Sequence, residues 1–434
     1  MLNQSYRNAN RRVVCLAGVL FAAIALPAFG GTPTITNINT STTYTSLQSA
    51  INGASAGETI EIGNGVLFEH DILLDKPLTI RGQGMDDTTI DGGGLGGVLS
   101  VGEAGAEMTL EDLTIAHGQL NVSTDSGGLF VQGGAELIVR RVRLLENASA
   151  IGGGVGVIGS EDPMTTLFAD SCEFLGNTAG GQGGGLGIGA GHGADVTLVN
   201  CLFRGNQAVG PGGAVSCYLA GNSVTTINCT FAENTSNNTS SIVVAGFGGQ
   251  IEMANCVVVG VPGTSVLDNG GATFSVQNTL LAPDVSFDSI TDGGGNIFAT
   301  PIFEDAVNGD YRLAAGSPGI DAADASAYTM AWGGAFDLDG DPRFHDDPGT
   351  DDTGAGVPSD LDMGAYEFQG VTVAPCPGDI DGSGSVDIDD LNALLGAWDS
   401  NVGMGDPRDL AGDDGLVDTD DLNVVLSHWN ATCI

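Results

Sequence analysis

The chain has 434 residues, with 54 Asp and Glu against 12 Lys and Arg, for a formal net charge of −42. Such a surface repels nucleic acid and anionic membranes and attracts divalent cations. Hydrophobic residues still make up 42 %, which excludes a disordered polyelectrolyte, while aromatics are sparse at 6 %.

Residues 1–30 read as an export signal: Arg7, Arg11 and Arg12 precede an apolar run from Val13 to Leu26, and Ala28-Phe29-Gly30 offers small residues for cleavage. The run is too short and wrongly flanked for a membrane anchor, and Cys15 lies near its start rather than after it, which argues against a lipoprotein. Arg11-Arg12 leaves a twin-arginine route open. The expectation is a secreted, extracellular or cell-surface protein with no membrane span.

A Thr/Ser-rich lead-in, Thr32 to Thr45, opens the second unit, residues 31–300. Leu47, Ala50 and Ile51 have the spacing of a short amphipathic helix between Ser46 and Ala54, followed by strands at Thr59 to Ile62 and Leu78 to Ile80. A helix there would cover the bare strand edges of whatever follows.

From Gly127 to Ala282 the sequence repeats itself. LIVRRVRLLENAS (137–149), LFADSCEFLGNTA (167–179), LVNCLFRGNQA (198–208), INCTFAENTS (227–236), MANCVVV (253–259) and VQNTLLA (276–282) superimpose on one column. It runs Val142, Cys172, Cys201, Cys229, Cys256, Thr279, and an earlier copy adds Leu113; neighbours differ by 29, 30, 29, 28, 27 and 23. A period of 20 to 30 residues implies a stacked array. The column residue and the one two further on are apolar, the period of a strand with one buried face. Glycines precede the copies at 127–128, 152–154, 183–185, 212–213 and 248–249, supplying positive-φ corners. Asn147, Asn177, Asn206 and Asn234 stand five residues past the column, where stacked amides can form a ladder along the axis. Leucine-rich repeats share the period but need fixed leucines and usually a helical segment. The fold expected is therefore all-β, a right-handed, single-stranded parallel β-helix. Repeats of the form GG…T-N-C-x-F-x-x-N-x-A resemble those of pectin-lyase-like and polymorphic outer-membrane proteins, and the SLQSAI…GETI opening resembles that of many secreted β-helices.

Four of the seven cysteines left after cleavage form the inward column, either as a stack of small buried side chains or with neighbouring rungs near disulfide distance. Cys217 is unassigned. Cys376 and Cys433 bracket the last domain and are read as a bridge. Arg140, Arg141 and Arg143 form the one basic cluster. Arg141 falls level with Asp112 and Arg143 with Glu173, which predicts outward ion pairs between rungs rather than a catalytic base.

Residues 301–370 shift in composition. Ser317, Pro318, Ile320 and Asp321, then Asp337, Gly340 and Arg343, then Asp362, Gly364, Ala365, Tyr366 and Glu367 resemble the choice-of-anchor Q module. That resemblance implies a C-terminal cap on the solenoid. Asp337, Asp339 and Asp341 could touch a cation, but the turn lacks the later ligands of a calcium loop.

Beyond a linker at Val371 to Pro375, VDIDDLNALLGAW (386–398) and VDTDDLNVVLSHW (417–429) align at a shift of 31 and have helical spacing. The run 379–390 reads as a twelve-residue calcium loop. Asp379, Asp381, Ser383, Asp387 and Asp390 supply side-chain oxygens at places one, three, five, nine and twelve; Ser385 offers its carbonyl, and Gly384 takes the sharp sixth place. The second loop is irregular: a shift of 31 leaves Asp414, Asp418 and Asp421, and one inserted residue restores Asp409 as first ligand, with Asp413 or Asp414 nearby. Two such loop–helix repeats resemble a type I dockerin, residues 371–434. That resemblance implies Ca2+ as cofactor and a cohesin-like protein or cell-surface receptor as partner.

Polysaccharide lyases on a β-helix need a basic residue near a carboxylate-bound calcium, and hydrolases need paired acids. Gly191-His192-Gly193 resembles the Gly-His-Gly of polygalacturonases, but no Asp-Asp precedes it at the usual short distance and no Arg-Ile-Lys follows, so it reads as a corner. The expected function is a β-helix that binds or scaffolds extracellular polysaccharide and is tethered through its calcium-dependent tail. The alternatives are a polysaccharide lyase or glycoside hydrolase of this fold, and a purely structural surface protein or adhesin.

Overall fold

The computed structural model describes residues 32–102, 107–120, 126–237, 241–261, 266–268, 270–328, 334–357, 360–370, 377–381, 385–403, 406–411 and 415–431. The export signal, the 371–375 linker, Cys376, Cys433, Ser383, Gly384, Asp413 and Asp414 lie outside them. No helix among the described residues is long and apolar enough to cross a membrane.

Successive coils stack strand on strand, in parallel, as a β-solenoid. One file of the first face runs Leu167, Val196, Val224, Ile251, Phe274 through five coils. On the second face Glu173, Leu202, Thr230, Val257 and Leu280 are level. The third face carries nine strands, from Ile72–Leu74 to Ser286–Asp288. The expected column is therefore a single internal file: Cys172, Cys201, Cys229, Cys256 and Thr279 are all fully buried. Behind it Phe174, Phe203 and Phe231 stack with ring centroids 4.1 and 5.1 Å apart, an offset-stacked geometry that aromatic pairs favour.

The asparagine ladder is continuous. Asn147 donates to Asn177 Oδ1 at 3.1 Å, Asn177 to Asn206 at 3.0 Å and Asn206 to Asn234 at 2.9 Å. Each Oδ1 from Asn177 to Asn234 also takes the backbone N–H of the asparagine one coil earlier. These donors are buried, so the amides satisfy groups that would otherwise be orphaned.

The alternating apolar pattern suggested one continuous strand per copy, but the chain bends in the middle of it. The residue before each column position is left-handed: Asp112, Arg141, Ser171, Asn200, Asn228, Asn255 and Asn278 have φ between 44° and 60°. Short polar side chains tolerate that conformation best, which is why asparagine holds the last four. A second left-handed residue, Glu146, Gly176, Gly205 or Glu233, precedes each ladder asparagine. A glycine corner, Gly152, Gly183 or Gly212, with φ of 63°, 67° and 73°, follows it. Three turns per coil wind a three-faced prism.

At the open end, helix Leu47–Gly53 is capped by Ser46 and buries Leu47, Ala50 and Ile51 into the same core. Strand Ile35–Asn37 pairs antiparallel with Thr59–Ile62, so the first edge is covered, as expected from the helical spacing.

Residues 301–370 do not sit across the far end. After a hairpin of Phe303–Asp305 and Asp310–Leu313 they run along the flank, over the bends. Tyr311, Leu338, Ala365 and Tyr366 pack on Leu145, Leu175, Leu202 and Ala232; Ala322, Tyr328, Leu361 and Met363 pack on Val199, Ile227, Val257 and Leu280. The bend asparagines bind them directly: Asn200 donates to Tyr328 Oη and Phe336 O at 3.2 Å, Asn228 to Asp362 O at 2.8 Å, and Asn255 to Asp324 O at 2.9 Å. The expected end cap is thus a flank cover, because the outward apolar residues of these coils must be shielded from water.

Candidate functional site

Two places gather chemistry-bearing side chains. The first is a groove between the bends and the flank cover, lined by Gly84, Met85, Asp112, Arg140, Arg141, Asp170 and the stretch from Gly334 to Gly340. Stacking of the bends puts these groups side by side. Arg141 binds Asp112 through two hydrogen bonds of 2.6 and 3.0 Å, Arg143 pairs with Glu173 and with Asp86 at 2.6 Å, and Arg81 binds Glu111 at 2.6 Å. The ion pairs expected between rungs are therefore present. Arg140 is half-buried and makes no ion pair among the described residues.

Asp170 is 8 % exposed on the groove wall. Burial pushes its carboxyl up to about 6, against the donors Ser171 Oγ at 3.1 Å and Asn200 Nδ2 at 3.3 Å and the charges of Arg140 and Arg141. A carboxyl that titrates near neutrality beside two guanidinium groups can hold or transfer a proton. Sequence reading missed it, since Asp170 lies in LFADSCEF as one polar residue of a strand. Gly191-His192-Gly193 is the corner expected: both glycines have positive φ, and His192 Nδ1 lies 2.5 Å from Ala220 O one coil away.

The residues of the choice-of-anchor resemblance meet under the flank cover. Arg343, Asp362 and Asp321 are fully buried, Asp337 and Glu367 nearly so. Arg343 reaches Glu367 at 3.4 Å and donates to Gly364 O; Asp362 takes the amides of Asp321 and Phe368 at 2.8 and 2.6 Å. Burial pushes Asp362 up to about 7. The knot fixes the cover's path, and of its members Asp337 also lines the groove. Asp337, Asp339 and Asp341 come together, but Asp337 Oδ1 takes the amides of Asp339 and Asp341 and its Oδ2 that of Glu367.

The second place is the C-terminal pair of acidic loops. Helices Ile388–Leu395 and Thr419–Ser427 begin alike, with Asp387 and Asp418 as N-caps in reciprocal boxes with Asp390 and Asp421. Asp390 Oδ1 also takes the amides of Ile380 and Asp381, at 2.6 and 3.2 Å; Asp421 Oδ1 takes those of Leu410 and Ala411, at 2.6 and 2.8 Å. Burial pushes Asp390 up, but those amides outweigh it and hold it below the ordinary carboxylate value. Carboxylate oxygens of Asp379, Asp381 and Asp390 lie within 4.8 Å of one another. Ser385 Oγ lies 3.4 Å from Asp387.

Matching the closing amides aligns Asp409 with Asp379, and puts Ala411 where the first loop has Asp381. Asp409 Oδ2 takes the Gly415 amide at 2.7 Å, while its buried Oδ1 has no partner among the described residues. The two units share one small core of Val386, Leu394, Ala397, Val417 and Val425.

No family model matches this chain, and no curated protein does. Among solved structures it is similar to a pectin methylesterase mutant in complex with hexasaccharide IV. That match is 11 % identical, covers 68 % of this chain and 93 % of that one, and has a TM-score of 0.30. The pectin methylesterase from Aspergillus niger in deglycosylated form matches at 12 % identity over 63 % and 87 %, with a TM-score of 0.22. Neither likeness carries a residue or an activity to this chain.

Proposed function

We propose that this chain is a secreted or cell-surface β-helix that binds or scaffolds polysaccharide along its flank and is tethered through a calcium-dependent, dockerin-like tail. The observation that carries the tether is the convergence of Asp379, Asp381 and Asp390 at the start of a helix. Calcium takes six to eight hard oxygens. Asp379, Asp381, Ser383, Asp387 and Asp390, with the Ser385 carbonyl, would hold one ion. Asp409, Asp414, Asp418 and Asp421 would hold a second more weakly, for want of an oxygen at Ala411. Bound calcium supplies a fixed positive charge that ties each loop to its helix. Ile388, Leu395 and Leu426 on these helices, with Trp398 and Trp429 in the turns that follow them, are exposed apolar residues, the kind of surface that a cohesin-like partner would cover.

Calorimetry of the whole chain with calcium tests the tether: the C-terminal loops are expected to give two binding events, and Asp381→Ala should weaken the tighter of these about tenfold or more, by loss of a charged ligand. Calcium stoichiometry and affinity left unchanged by Asp381→Ala refute it.

A second reading, a polysaccharide lyase or glycoside hydrolase, is favoured by one observation, the raised Asp170 carboxyl beside Arg140 and Arg141. Incubation with uronate and neutral glycans separates the two. Retention without products supports the binder; unsaturated products or new reducing ends, lost in Asp170→Asn, support the enzyme.

A further inference from the structure

On the flank cover, away from the C-terminal loops, Asp321, Asp346 and Asp352 bring carboxylate oxygens within 4.8 Å of one another. Asp346 and Asp352 are exposed, whereas Asp321 is fully buried. Among the described residues its Oδ1 has no hydrogen-bond partner, and its Oδ2 takes only the Asp347 amide, at 3.3 Å.

The backbone gives this side chain no way out. Asp321 is left-handed, with φ of 48°; its amide donates to Asp362 Oδ1 at 2.8 Å, and its carbonyl takes the amides of Thr353 and Gly354 at 2.9 and 3.0 Å. Burial pushes its carboxyl up to about 6, and the charges of Asp352, Asp346 and Asp347 push the same way. A buried carboxylate oxygen with neither donor nor cation is costly.

The neighbouring acidic turn shows the contrast. At Asp337, Asp339 and Asp341 both oxygens of the buried member are taken by amides, and Asp339 binds Arg312 at 2.5 Å. That turn is complete in itself. The Asp321 cluster has the same residue type with its oxygens as close together in space, but one buried oxygen of Asp321 has no such amide.

We infer that Asp321, Asp346 and Asp352 form a divalent-cation site that takes calcium and pins the 346–354 loop to the flank of the solenoid. The donors are hard oxygens, which suit calcium, magnesium or manganese. Two of the three, Asp346 and Asp352, are exposed to solvent, which suits the irregular, partly hydrated shell of calcium.

The test uses the whole chain, with calcium chloride as the probe, read by calorimetric stoichiometry and by melting with and without chelator. Asp346→Asn/Asp352→Asn changes exposed residues only and leaves the core intact. It should bind one calcium fewer than the wild type and lose a calcium-induced rise in melting temperature that Asp381→Ala keeps. Asp321→Asn should likewise lose one equivalent. Unchanged stoichiometry and an unchanged rise in the double variant overturn the site, whatever the C-terminal loops do.

Discussion

Asn206→Ala tests whether the amide ladder holds the coils together. The side chain makes four buried hydrogen bonds: Oδ1 takes the amide and Nδ2 of Asn177, both at 3.0 Å, and Nδ2 donates to Phe174 O at 2.7 Å and Asn234 Oδ1 at 2.9 Å. Each such bond is worth roughly 1 kcal/mol net, and a buried donor left unpaired costs about 1–3 kcal/mol more. Because the Asn177 backbone N–H loses its acceptor, the expected loss is at least about 3 kcal/mol. Urea unfolding followed by far-ultraviolet circular dichroism measures it, with Gln207→Ala as a surface control expected to cost under about 0.5 kcal/mol. A loss for Asn206→Ala no larger than the control's would mean that the ladder is a by-product of stacking.

Three further outcomes follow from packing and burial. Native Cys172, Cys201, Cys217, Cys229 and Cys256 should resist alkylation and become labelled only in denaturant, because all five are buried and unbridged and burial pushes Cys217 up to about 12; labelling mapped by mass spectrometry on the folded chain would contradict this. Gly153→Ala should lower stability by about 1–3 kcal/mol, since a Cβ there would lie 2.5 Å from Thr178 O and 2.6 Å from Gly184 O; an unaltered melting temperature would count against the close approach of coils. Asp170 has its folded pKa raised from 3.8 to about 6, so its contribution is present below pH 4 and is lost as pH rises through 6. That shift corresponds to at most about 3 kcal/mol, and Asp170→Asn should flatten the decline in stability between pH 4 and 7; equal slopes in both chains would refute the assignment.

The winding was legible because a buried file has to repeat. The steps from Leu113 to Thr279 gave the coil length, the alternation gave the inward face, and Asn147 to Asn234 gave the ladder. Arg141 and Arg143 could be paired with Asp112 and Glu173 from register alone. The bend was not read, although its signal was present: the residue before the column is Ser171, Asn200, Asn228, Asn255, Asn278, a run of types suited to left-handed backbone. Nor was the flank cover. Outward-facing Leu145, Leu175, Val199 and Ile227 in strands meant to face water were the clue that something lies over them. Asp170, and the meeting of Asp321 with Asp346 and Asp352, were invisible for a different reason. Each is one acid among many, and only burial by residues distant in sequence separates them from the rest.

The cover meets the coils at unequal points along the chain but equal intervals in space, through Ser171 and Asn200, Asn228 and Asn255 in turn. Each coil advances the axis by about 4.8 Å, so the cover works as a ruler laid against a stack. A coil gained or lost before Leu113 would slide past it unnoticed. One gained between Ser171 and Asn255 would put every later contact out of step, which fixes how many coils this part of the protein can have.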